Sequence, residues 1–155
     1  MSSKKENTSL VFGVPEAGIE YRHRPGAYAV IYNDNYEVCL VNTPEGYALP
    51  GGGIEKDEVK EEALLREIAE ETGYSVSLGP YLGAAFQYKL SSQLGYVKKE
   101  CFYYACAFSA VEGERVEKDH IPEWHSRSEA LEKLNGREQA HHWAVETFFA
   151  STTST

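Results

Sequence analysis

Residues 49–74 read LPGGGIEKDEVKEEALLREIAEETGY. Between Glu55 and Glu71 lie eight acidic residues, with only Lys56, Lys60 and Arg66 against them. The spacing predicts a helix from about Asp57 to Thr72. Val59, Ala63, Leu64 and Ile68, with Leu65 beside them, form an apolar stripe at three- and four-residue intervals. Gly73 supplies a C-terminal stop. On such a helix Glu67, Glu70 and Glu71 stand at i, i+3 and i+4, side by side in one sector, where like charges repel. Two readings follow. The sector is a solvated face with Arg66 and Glu70 as an i,i+4 pair, or it holds a hard divalent cation, which prefers oxygen ligands. Three consecutive glycines ahead of the helix favour the second reading, since a solvated helix has no need of them.

Outward from this stretch, GAYAVIYND (26–34) and YEVCLVNT (36–43) are β-rich runs parted by a short Asn/Asp turn, which predicts a hairpin. Ala48 and Leu49 lead into Pro50–Gly53, a breaker cluster expected to end a strand and to let a ligand approach the backbone at Gly52 and Gly53. Residues 74–90 and 98–111 predict long strands joined by a polar loop around SSQLGY. Residues 129–134 and 137–149 predict helices, the second packing through Trp143, Val145, Phe148 and Phe149. Strands on both sides of a central helix predict an α/β fold, a mixed sheet between helices. One domain is expected over 9–150, with flexible tails at 1–8 and 151–155.

The chain of 155 residues is long enough to bury a real core. Cys39, Cys101 and Cys106 form an odd set without CxxC spacing, so they are expected as buried thiols rather than a disulfide framework or zinc site. No run reaches the roughly 18 apolar residues of a membrane helix, and the first ten residues lack a secretory apolar segment, which points to the cytoplasm. A net charge of −9 with no basic stripe argues against a nucleic-acid polymer as partner. A small polyanion would need cations as intermediaries.

Gly52, five residues, Glu58, seven residues, then Arg66-Glu67-Ile68-Ala69-Glu70-Glu71-Thr72-Gly73-Tyr74 resembles the Nudix box of the Nudix (MutT-like) hydrolases. Every fixed residue of that box is present at its spacing, and Tyr74 at the final aliphatic position is the one departure. The resemblance implies an α/β/α sandwich and Mg²⁺- or Mn²⁺-dependent hydrolysis of a nucleoside diphosphate linked to another moiety. By motif position it implies Glu67, Glu70 and Glu71 as metal carboxylates, with the Gly51 carbonyl and Glu58 joining or supporting them. Arg66 resembles the arginine that orients a neighbouring carboxylate. A non-catalytic nucleotide sensor on the same fold is the alternative, and it would be favoured by missing box carboxylates. Members of the family are often homodimers.

The general base is open between Glu67 and a carboxylate of a later loop. Glu117, in a polar loop before Trp124, is preferred, with Asp119, His120 and Glu100 as rivals. Arg22, His23 and Arg24 precede the first hairpin strand as solvated charges or, in Arg24's case, as a phosphate contact. One of His141 and His142 is expected to pack. Tyr28, Tyr47, Tyr81, Tyr88 and Tyr96 include candidates to stack on a base. Neither the ADP-ribose proline nor the dinucleoside-polyphosphate tyrosine of the family stands at its distance after the box. A nucleoside triphosphate or related small nucleotide remains by elimination.

Overall fold

Alternation in the longest apolar runs decides which element covers which face of the sheet. The computed structural model describes residues 10–153. In chain order the elements are β1 (Val11–Phe12), β2 (Arg22–Tyr32), β3 (Val38–Thr43), β4 (Gly46–Ala48), β5 (Gly51–Gly53), α1 (Lys60–Thr72), β6 (Tyr74–Ser91), β7 (Gly95–Val111), β8 (Ile121–His125), α2 (Arg127–Leu134) and α3 (Gln139–Thr153). One mixed sheet runs β1-β6-β7-β2-β3-β4, with β5 added to β2 and β8 to β3. β2 lies parallel to β7, and β6 and β7 form a long antiparallel hairpin.

Successive residues of a strand point to opposite faces. Ala27, Ala29 and Ile31 of β2, with Phe102, Tyr104 and Cys106 of β7, meet Leu64 and Ile68 of α1. Tyr28 and Val30, with Cys101 and Tyr103, meet Leu134, Val145 and Phe148 of the α2–α3 pair. The result is an α/β/α sandwich. All three cysteines are buried free thiols, as expected. Among the described residues no helix is long and apolar enough to cross a membrane.

Several elements differ from the sequence expectation. α1 starts at Lys60, because Asp57 adopts a left-handed φ of 67° in the turn before it. Val59 and Leu65 lie outside its packed stripe, 52% and 41% exposed. β4 ends at Ala48, ahead of the Pro50–Gly53 cluster as expected, but Gly51–Gly53 then forms a strand of its own, pairing with Gly26–Tyr28. The region after β7 is not all loop, since Ile121–His125 pairs antiparallel with β3. Arg22–Arg24 lie inside β2. The last helix runs to Thr153, past the boundary expected at 150. The expected tail at 1–8 and the end of the tail at 154–155 lie outside the described residues.

Tyr74, at the aliphatic position of the box, packs with other aromatics. It stacks on Trp124 with ring centroids 5.9 Å apart and meets Phe108 edge-on at 5.0 Å. The departure is therefore taken up in packing.

Candidate active site

The site grows from the contact of β5 with α1. Gly51 has φ of 143°, and a Cβ there would stand 2.2 Å from the Ala27 carbonyl oxygen, so only glycine fits. At Gly52 a Cβ would lie 2.6 Å from the Glu67 carboxyl carbon. The bare backbone lets the glutamates of α1 press against the sheet edge. The Gly51 amide donates to Glu71 Oε1 at 2.9 Å.

Arg66 fastens the other side. Its guanidinium grips Glu58 through two bonds, Nε to Oε2 at 2.8 Å and Nη2 to Oε1 at 3.0 Å. The same side chain reaches Glu67 at 3.2 Å and Glu70 at 3.4 Å, and Nη2 lies 3.4 Å from the Gly53 carbonyl. The solvated-face reading foresaw the Arg66–Glu70 pair, and it is present. Glu58, counted among the metal-site carboxylates from its motif position, has both oxygens on Arg66 and enters the site through it. The fork holds the Glu58 carboxyl below its ordinary range.

The loop after β7 closes the site. The amides of Val116 and Glu117 both donate to the Glu70 carbonyl, at 2.8 and 3.0 Å. This brings together Glu117, Asp119 and His120, whose ligand atoms lie within 4.8 Å of one another. His120 Nε2 stands 3.7 Å from Glu71 Oε2. Of the rival bases, Asp119 and His120 thus join the site. Glu100 bonds His23 at 2.8 Å across the β2–β7 pair.

Charge in this cluster is unbalanced. Glu71 is 7% exposed, and burial pushes its carboxyl up to about 8, aided by Glu67, Glu117 and Glu70. Burial likewise raises Glu67, against the pull of Arg66. Mutually repelling carboxylates, Glu71 buried and Glu67 and Glu70 partly so, with one guanidinium among them suit a divalent cation, which neutralises several at once. The donor set is all oxygen, as Mg²⁺ or Mn²⁺ requires.

A cavity of about 310 Å³ opens from Glu71 and His120 across the glycine turn to the α3 side of the sheet. Arg24 and Tyr28 line it, so of the five candidate tyrosines Tyr28 is the one it contains. A Cβ on Gly53 would come within 3.2 Å of Arg24 Nη2, which places that guanidinium against the turn. Lys89, Lys99, Glu138 and His141 form the far end and were not singled out as site residues from sequence. A legible signal existed, because a lysine such as Lys89 or Lys99 within an apolar strand calls for a buried partner. His141 is the packed member of the histidine pair, at 1% exposure.

A model of the NUDIX domain matches residues 22–146. A Bacillus subtilis (strain 168) protein with the provisional name 8-oxo-dGTP diphosphatase is 38% identical over 60 residues, 37% of this chain and 40% of its own length. An RNA pyrophosphohydrolase of a Nitratiruptor species is 37% identical over 59 residues, covering 34% of this chain and 38% of that protein. The matched stretch thus spans about 40% of the length of these curated relatives. Among solved structures, the MutT protein of Methanosarcina mazei Go1 superimposes with a TM-score of 0.68 at 22% identity, over 88% of this chain and 100% of that one. This likeness concerns the fold.

Proposed function

The chain belongs to the Nudix family, and from that premise we propose that it hydrolyses a phosphoanhydride bond in a small nucleotide with the help of Mg²⁺ or Mn²⁺. The substrate class is a nucleoside triphosphate or a related nucleoside diphosphate derivative. The observation that carries the reading is the packing of Glu67 and Glu71 against the Gly51–Gly52 backbone, with too few cations to balance them. The names of the two curated relatives, both pyrophosphate-cleaving, support the reaction class. The net charge of −9 favours a small substrate over a polymer.

Glu67, Glu70 and Glu71 would hold the cation, with Glu117 across from them. When bound, such an ion lowers the pKa of a coordinated water and polarises phosphoryl oxygens. The protein's own groups do the rest. Arg66 keeps Glu67 and Glu70 in one orientation and ties them to the β5 backbone through Gly53. The Gly51 amide and burial fix Glu71. Arg24 offers a fork for phosphate oxygens beside the glycine turn. The Glu117 carboxylate, on a loop anchored to the Glu70 carbonyl, would accept a proton from attacking water, a role the anchoring of that loop supports. Phosphoryl transfer demands little more than this positioning and charge stabilisation.

The test is hydrolysis of nucleoside triphosphates, ADP-ribose, NADH and diadenosine polyphosphates with Mg²⁺ and with Mn²⁺. At least one should turn over. Glu70→Gln and Glu71→Gln should each lose at least about 100-fold in kcat with the fold retained. Wild-type turnover in either variant defeats the assignment, and inactivity on every substrate with both metals favours a nucleotide sensor.

A further inference from the structure

Beside the oxygens of α1 stands one nitrogen that the hydrolytic reading leaves idle. His120 is the residue before β8 and is pinned from both sides. Its amide donates to the Glu117 carbonyl at 3.1 Å, and the next residue, Ile121, pairs with Asn42 of β3. The amides of Val116 and Glu117 tie the same loop to the Glu70 carbonyl. The His120 side chain is 25% exposed and lines the cavity together with Glu71. The loop therefore presents this ring to the carboxylate helix rather than to solvent.

The state of the ring follows from its neighbours. Nδ1 lies 3.1 Å from Asp119 Oδ1. A carboxylate only accepts, so Nδ1 carries the hydrogen, and in the neutral ring Nε2 is left with a bare lone pair. That lone pair stands 3.7 Å from Glu71 Oε2, beyond hydrogen-bond reach. Two electron-rich atoms thus face each other across the site, and a cation held by both relieves their repulsion. Glu117 is close by, since its ligand atom and those of Asp119 and His120 lie within 4.8 Å of one another. A carboxylate on one ring nitrogen and a metal on the other is how ligating histidines are held, because the acid fixes the tautomer and turns the ring.

We propose that His120 ligates the cation of this site through Nε2, with Asp119 as its orienting partner, and that the site thereby prefers a first-row transition ion to Mg²⁺. Imidazole is a softer donor than carboxylate and favours transition ions, whereas Mg²⁺ keeps to oxygen and sheds its water reluctantly. The inference rests on the cation-dependent reading above and adds a ligand and a metal preference that the glutamates of α1 do not supply. The competing arrangement is a protonated His120, an imidazolium that offsets Asp119 and Glu71 and opposes a cation. The two differ in sign. Removing a ligand weakens metal binding, while removing an imidazolium strengthens it.

Electron spin echo spectroscopy of the wild type loaded with Mn²⁺ at pH 7.5 reads the ligand directly. A coordinated imidazole imprints ¹⁴N modulation on the echo, and protein grown with ¹⁵N-histidine should lose that modulation. Bound Mn²⁺ with no histidine modulation overturns the proposal. His120→Gln, which puts an amide oxygen where the nitrogen stood, should bind Mn²⁺ at least about 10-fold more weakly and lose the modulation. Its ratio of Mn²⁺ to Mg²⁺ affinity should fall at least about fivefold from that of the wild type. Equal or tighter Mn²⁺ binding by the folded variant overturns the proposal. Should the variant unfold, the labelled wild type decides alone. Mn²⁺ bound without a histidine signal removes His120 and leaves the glutamate site, whereas a wild type that binds no Mn²⁺ removes both. Histidine modulation in a protein that hydrolyses no nucleotide keeps the ligand and removes the proposed reaction.

Discussion

Gly52 and Glu67 show how closely backbone and chemistry are joined at the scale of one residue. A methyl group at position 52 would occupy the space of the Glu67 carboxylate, with all three of its terminal atoms 2.6–2.8 Å away. Glu67 can swing aside, so the cost falls on function more than on folding. Gly52→Ala should lower kcat/KM roughly 100-fold while Tm moves by no more than about 5 °C. Steady-state kinetics beside a thermal melt checks this, and unchanged kinetics would mean that Glu67 does not act from its present position. At this scale the sequence was legible. The spacing of Glu67, Glu70 and Glu71 and the glycines before them lead to the clustering observed. The split of roles between Glu58 and Glu71 was not legible. Both are glutamates of one motif, and only the fold sends one onto Arg66 and the other onto the Gly51 amide.

Among the elements, α1 and the β2–β3 hairpin follow from periodicity and turn residues. β5 and β8 do not, for opposite reasons. Gly51–Gly53 has no side chains to alternate, and Ile121–His125 carries Pro122 and Glu123 in its interior, so each is a strand only because a neighbour completes it. The turn leading into α3 meets the β6–β7 hairpin through the Lys89–Glu138 pair, whose members are 49 residues apart, and α3 itself does so through His141. Burial pushes the His141 imidazole down to about 3, so it stays neutral in the fold, while the Lys99 and Lys89 ammoniums pull the Glu138 carboxyl below its ordinary range against its burial. For a depressed histidine the stabilisation is complete above the unfolded value near 6.5 and is lost as pH falls from there toward 3. For Glu138 it is complete above about 4.5 and lost toward 2. The urea midpoint of the wild type should therefore fall as pH drops from 7 to 4. His141→Gln, which cannot take up the proton, should be less stable at pH 7 yet show a shallower fall. Parallel curves would show that His141 takes up its proton in the fold as readily as in the unfolded chain.

Over the whole molecule, the acidic surplus and the buried lysines divide one cavity into two ends. Glu71 and His120 stand at one, Lys89 and Lys99 at the other, with Arg24 and the glycine turn between. Across the mouth, Glu45 of the β3–β4 turn accepts from Ser92 at the tip of the β6–β7 hairpin, and its carbonyl accepts from Arg137 at 2.6 Å. These contacts join segments distant in sequence, which is why the far end of the site was hidden while the near end was plain. The central claim is that the glutamates of α1 gather to hold a divalent cation. Mn²⁺ titration at pH 7.5, followed by electron paramagnetic resonance on the wild type and Glu67→Gln/Glu71→Gln, tests it most directly. The wild type should bind Mn²⁺, and the double variant, still folded, should bind it at least about 10-fold more weakly. Equal affinity in the two proteins would contradict the account.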